Sequence, residues 1–275
     1  MKGSMFCKIL GLTAFAWGMA CVTACGDDES NFIAYGEDWE SSNSQKAKSS
    51  SSSKENASNV ELSFGRMTDE RDDQVYKTVK IGNREWMAEN LNLRYLQPTD
   101  SLDSSSFCYD NSAENCEKYG RLYIWSAAMD SAGVYTSESI GNGVGTLCFS
   151  VYPIQGICPE GWHLPSEYEW NELKSKVNVG VALRSTYDWE YSNGTDDFSF
   201  TALPAGLAVN GTYNFLHTRA LFWSSTEAYG IGKKENKASY NAFFLSLEYK
   251  SERESIVLYS TGKHQAFSVR CLKDY

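Results

Sequence analysis

The stretch Cys158-Pro-Glu-Gly-Trp-His-Leu-Pro-Ser-Glu-Tyr-Glu-Trp170 constrains the fold of this chain more than any other. Pro159 and Gly161 punctuate its first half and rule out a regular element there. Ser166 followed by Glu169 has capping-box spacing, in which the hydroxyl accepts from the N3 amide and the Glu reaches back. Pro165 and Trp170 occupy the positions of a hydrophobic staple, and Trp170, Leu173 and Val177 then form one apolar face. A helix over Ser166–Val177 is the expectation.

The first residues concern destination. Lys2 and Lys8 precede an apolar run from Ile9 to Ala20 that is short for a membrane span. Val22-Thr23-Ala24-Cys25 resembles a bacterial lipobox. Such a cysteine is diacylated on sulfur, and its amino group is acylated with palmitate-type chains after cleavage. Several chains give stable anchoring where one is marginal. The alternatives are an ordinary secretory leader or a transmembrane anchor. Gly26-Asp27-Asp28-Glu29 reads equally as an export signal towards the cell surface or as a solvated linker start. Residues Ser41 to Ser58 are Ser-rich with Lys, Asn and Gln, a composition that buries no core and acts as a tether. The expected organisation is a leader over 1–24, an acylated Cys25 and tether over 25–66, and a folded domain over 67–275, on a bacterial envelope, at the outer membrane or cell surface.

The domain span suffices for one core with insertions. Eight Trp and 17 Tyr suggest a loop-rich fold pinned by bulky rings. Loss of the leader removes two lysines and no acid, deepening the net charge of −10. An acidic chain without a basic stripe argues against nucleic acid as a partner. The cysteines left after leader and lipid are Cys108, Cys116, Cys148, Cys158 and Cys271, and an oxidising compartment favours pairing. A local Cys108–Cys116 bridge is the simplest choice, with Cys158–Cys271 tying the helix block to the last strand and Cys148 left over. No pair has CxxC metal-ligand spacing.

Alternation in Val75–Ile81, ended by Gly82-Asn83 before Glu85-Trp86-Met87, reads as a hairpin. Tyr123–Met129 reads as a helix, and Phe222–Ser225, Ala242–Tyr249, Ser255–Tyr259 and Phe267–Cys271 as strands. The expectation is α+β, with two short helices against small antiparallel sheets and long loops.

In order along the chain stand Val75-Tyr-Lys-Thr-Val-Lys-Ile-Gly82, Trp86-Met-Ala-Glu-Asn-Leu91, Cys108-Tyr-Asp-Asn111, Tyr119-Gly-Arg-Leu-Tyr123, Cys158-Pro-Glu-Gly-Trp-His-Leu-Pro165, Ala202-Leu-Pro-Ala-Gly206, Phe222-Trp-Ser-Ser225 and Ser268-Val-Arg-Cys271. Together they resemble the Fibrobacter succinogenes major paralogous (FISUMP) domain. The resemblance implies a bacterial exported protein, often a lipoprotein, with adhesion to plant polysaccharide suggested for some members. Many members carry two cysteines in the loop before the Cys-Pro-x-Gly-Trp block, where this chain has Cys148. The Trp-His-Leu-Pro block and the final Val-Arg-Cys strand also resemble C-type-lectin-like folds and formylglycine-generating enzymes. Those oxidases need two reactive cysteines near the C-terminus, and the last hundred residues here hold Cys271 only.

Other chemistry is weighed against packing. Glu167 and Glu169 are two apart on a helix and face different sides, so capping and dipole complementation account for them. Ser224-Ser225 lacks a G-x-S-x-G elbow. His163 lies between apolar neighbours and reads as packed. Asn193, Asp196 and Asp197 are a Ca²⁺ candidate, but Asn193-Gly194 is foremost a tight-turn dipeptide. Trp189 and Trp223 read as core, leaving Tyr187, Tyr191 and Tyr229 as rings that could stack on sugar. The expected function is a non-catalytic binding or adhesion module for polysaccharide or another cell-surface ligand, without cofactor. The alternative is an exported enzyme acting on carbohydrate or protein.

Overall fold

A computed structural model describes residues 63–96, 105–137, 140, 142–143, 152–228, 239–249 and 255–275. Contacts divide the chain into Met1–Ala47 and Lys48–Tyr275, and every described residue belongs to the second unit. The leader, Cys25, Cys148 and Tyr229 lie outside the described residues.

Strand β1 (Ser63–Asp69) pairs with β2 (Gln74–Ile81), and β2 with β3 (Arg84–Met87). Ser63–Arg66, ahead of the expected domain start at residue 67, pair with Lys77–Lys80. Gly82 has φ +65° at the first turn position, the backbone a two-residue type II′ hairpin needs. After β4 (Ser106–Phe107) come α1 (Ala113–Tyr119), β5 (Leu122–Ile124) and the single turn α2 (Trp125–Ala128). Then follow β6 (Trp162–His163) and α3 (Glu167–Val177). The remaining strands are β7 (Ala205–Val209), β8 (Thr212–Leu216), β9 (Arg219–Ala228), β10 (Asn241–Glu248), β11 (Ser255–Gly262), β12 (Ala266–Phe267) and β13 (Leu272–Lys273). They form three antiparallel sheets, in the orders β1-β2-β3-β13-β6, β11-β10-β9 and β4-β5-β12-β7-β8. The architecture is α+β, as the sequence suggests.

Several strands are covered on both faces. On β2 and β3, Tyr76 and Met87 enter one hydrophobic cluster while Val79, Ile81 and Trp86 enter another. On β9, Leu221 and Trp223 belong to the first cluster and Ala220 and Phe222 to the second. Helix α3 seals the second cluster with Trp170, Leu173 and Val177, its Trp170 ring 4.8 Å from Trp86.

Two expected elements differ. Tyr123–Ile124 belong to β5 rather than to a helix, because Tyr123 pairs with both Ser106 and Phe267. Phe267–Cys271 is not one strand. Its backbone changes partners residue by residue: Ser268 bonds to Leu221 and Trp223, while Val269 and Cys271 accept from Leu91 and Met87. This segment thus stitches two sheets together.

Arg270, fully buried, stands at the stitch. Its Nε donates to Asn90 Oδ1 at 2.7 Å, Nη1 to the carbonyls of Met87 and Phe200, and Nη2 to Thr201 O at 2.9 Å. The guanidinium also lies over Phe200, 4.5 Å from the ring centroid. Burial pulls its pKa down to about 9, so the charge persists at neutral pH. Next to it, Cys271 is bridged to Cys158, and Cys108 to Cys116, both as expected from the sequence.

Arg270→Lys keeps the charge but not the planar fork, stranding buried carbonyls that each cost about 1–3 kcal/mol. Urea unfolding of the oxidised variant is expected to show a loss of about 2–4 kcal/mol. A loss below about 0.5 kcal/mol would contradict the role assigned to this fork.

Candidate functional site

The N-terminus of α3 is built as the sequence indicates. Ser166 Oγ accepts from Glu169 N at 3.3 Å, and Glu169 Oε2 accepts from Ser166 N at 2.8 Å. The tertiary fold gives the same carboxylate further work. Glu169 Oε1 lies 3.0 Å from His163 Nε2 and accepts from the Tyr275 hydroxyl at 3.3 Å. His163 Nδ1 lies 2.6 Å from Asp274 Oδ1. Pairing of β6 with β13 puts His163 opposite Leu272, which brings the C-terminal residues to the helix start.

A cavity of about 460 Å³ opens here, lined by Tyr152, Pro153, Ser166, Glu167, Tyr168, Glu169, Thr226 and Tyr275. Three of its walls are tyrosines that remain 54%, 70% and 87% exposed at Tyr152, Tyr168 and Tyr275, so their rings are accessible to a ligand. One face of Tyr275 is covered by Arg84, whose guanidinium carbon lies 3.9 Å from the ring centroid while Nη2 binds Glu172 at 2.8 Å. Glu167 and Glu169 border the same cavity, because it wraps around the whole first turn rather than along one side of the helix.

The two carboxyls differ electrostatically. Burial raises the pKa of Glu167, and no hydrogen bond or ion pair engages its carboxyl among the described residues. Burial also opposes the charge on Glu169, but hydrogen bonds from His163 and Ser166 outweigh it and hold the carboxyl at about 2. For His163, burial disfavours the cation, and the Glu169 and Asp274 carboxylates outweigh that and raise its pKa. His163 is packed, as expected, and it also bridges two acids. That role depends on Asp274, 111 residues away, and left no local signal.

Of the rings singled out from sequence, Tyr187 and Tyr191 lie elsewhere. Tyr187 is half exposed and borders a separate polar hollow of about 230 Å³ with Asn92, Lys118 and Tyr119. Tyr191 is exposed but stacks on Tyr249, at 5.7 Å and 28°. Neither lines the tyrosine cavity. Trp189 and Trp223 are core residues. Trp223 Nε1 donates to Tyr123 O at 2.7 Å. Ser224 and Ser225 are buried.

The Asn193–Asp197 segment uses its oxygens internally. Asn193 Oδ1 accepts from Trp189 N at 3.1 Å, and the Asp196 carboxylate takes the Thr201 amide and hydroxyl, each at 2.7 Å. Asp197 is exposed. No group of three or more His, Cys, Asp or Glu among the described residues is placed to hold a metal ion. The turn falls on Asp196–Ser199, not on Asn193-Gly194. Gly194 is required for a different reason: a Cβ there would stand 1.9 Å from Arg184 O.

The charge network predicts how stability follows pH. Glu169 is depressed from 4.5 to about 2, so its contribution, roughly 3 kcal/mol and shared with His163, is complete above about pH 4.5 and lost as pH falls towards 2. His163 is raised from 6.5, so its contribution is complete below about pH 6.5 and lost as pH rises through the elevated folded value. Thermal melts from pH 2 to 9 are expected to show both contributions intact between about pH 4.5 and 6.5. In His163→Gln the acid limb should move to higher pH and the His163 part of the alkaline limb should vanish. A superimposable profile would contradict the network.

No curated protein and no solved structure matches the chain. The family model described as Fibrobacter succinogenes major domain matches residues 79–273, a span that runs from β2 to β13 and includes the cavity's helix, both disulfides and the Arg270 stitch. The chain belongs to the Fibrobacter succinogenes major domain family.

Proposed function

We propose that this protein is a lipoprotein of the bacterial envelope, anchored through Cys25 and exposed at the surface or in the periplasm, whose domain binds polysaccharide without turning it over. The observation that carries the reading is the cavity at the start of α3, where three exposed tyrosine rings surround an immobilised helix end. Aromatic faces present a large apolar surface with a polar handle, suited to the C–H faces and hydroxyls of sugar rings. This reading takes Tyr152, Tyr168 and Tyr275 as the site in place of Tyr187 and Tyr191, while Tyr229 lies outside the described residues. Acid–base chemistry on a glycosidic bond calls for two carboxyl groups free to act. Here both oxygens of Glu169 are engaged by His163, Ser166 and Tyr275, which leaves Glu167 alone and favours binding over catalysis.

The purified protein on an array of plant and bacterial polysaccharides is the test. Binding is expected, and Tyr168→Ala with Tyr275→Ala should weaken it about tenfold or more while the circular dichroism stays unchanged. Release of products from any polysaccharide would contradict the non-catalytic reading, and wild-type affinity in the double variant would remove the cavity as the site. In cells, Cys25→Ser should abolish fatty-acid labelling and membrane partition; normal partition would contradict the anchor.

A further inference from the structure

The charge around the cavity is one-sided. Among the described residues, its lining holds two glutamates and no lysine, arginine or histidine. Among the described residues beside it, the cations are already engaged: Arg84 binds Glu172, lies 3.9 Å from Glu169 and covers the rear of Tyr275, and His163 lies between Glu169 and Asp274. Among the described residues, four carboxylates thus face one guanidinium and one imidazole. Glu167 is the member with no partner among the described residues, and it stands between Ser166 and Tyr168 on the cavity wall.

Tyrosine faces carry the negative end of a ring quadrupole and attract cations within about 6 Å of the centroid. A carboxylate beside such rings adds a Coulomb term that a neutral sugar cannot use and an anionic one opposes. An ammonium group next to a C–H-rich ring engages both features at once.

We propose that the cavity selects an amine-bearing polysaccharide, with the ammonium group of a glucosamine-type unit paired to Glu167 and its ring packed on Tyr168 and Tyr275. This assignment of ligand class rests on the reading of the cavity as a polysaccharide site.

The experiment titrates the mature protein with glucosamine hexamer, N-acetylglucosamine hexamer and cellohexaose at low and high salt. Glucosamine hexamer is expected to bind about tenfold more tightly than its acetylated counterpart, with the preference shrinking as salt rises. Glu167→Gln, a near-isosteric change, should remove most of that preference. Tyr168→Ala should weaken all three ligands. Glu117→Gln, an exposed acid on α1, controls for the overall negative charge and should change nothing. Equal affinity for the charged and neutral hexamers would overturn the ligand class while leaving polysaccharide binding intact. A preference insensitive to Glu167→Gln, or equally sensitive to Glu117→Gln, would overturn the site. Absence of binding to any hexamer or to the wider polysaccharide array would overturn both this inference and the function it rests on.

Discussion

The Glu169 carboxylate is the interaction on which the site depends. Its position is fixed locally, because the third residue of α3 must satisfy the Ser166 amide. It is then used globally. A buried carboxylate is costly unless its charge and lone pairs are matched, and the match comes from His163 on β6 and the hydroxyl of Tyr275. His163 in turn needs an acceptor on its other nitrogen, which Asp274 provides. One capping residue thereby orders a strand, the C-terminal residues and a wall of the cavity.

Arg270 plays the corresponding part deeper in the domain. A segment whose backbone bonds alternate between two sheets cannot be held by a regular ladder. The guanidinium fork compensates by gathering the carbonyls of Met87, Phe200 and Thr201. The Cys158–Cys271 bridge pins the adjacent residue across 113 positions of sequence and closes by far the longer of the two disulfide loops, 113 against 8. In the chain-entropy account the longer loop restrains the unfolded chain more. The two devices fix β13, and β13 positions β6 and hence His163.

What could be read from the sequence was what is encoded over a few residues. The capping box and the Trp170–Leu173–Val177 face gave α3, Gly82-Asn83 gave the β2–β3 hairpin, and the spacing of Cys108 and Cys116 gave a local bridge. The misreadings arise where tertiary partners override local pattern. Tyr123 favours a helix until Ser106 and Phe267 claim it on both sides. Phe267–Cys271 alternates like a strand yet serves two sheets. Helix α1 went unread, although Ser112 at its N-cap and Gly120 at φ +73° after it bracket its ends. The candidate site was the least legible. Tyr152, Tyr168 and Tyr275 are scattered along the chain and meet only because β6 and β13 pair, whereas Tyr187 and Tyr191 are close in sequence and diverge in space.

Nitrogen NMR of the His163 imidazole tests the central claim most directly, since a ring that bridges two carboxylates must donate from both nitrogens. At pH 6.5, the ordinary midpoint of a histidine, the ring is predicted to be mostly imidazolium, with both nitrogens protonated. A predominantly neutral ring with one bare nitrogen at that pH would contradict the account, because Glu169 or Asp274 would then lack its donor and the cavity wall its support.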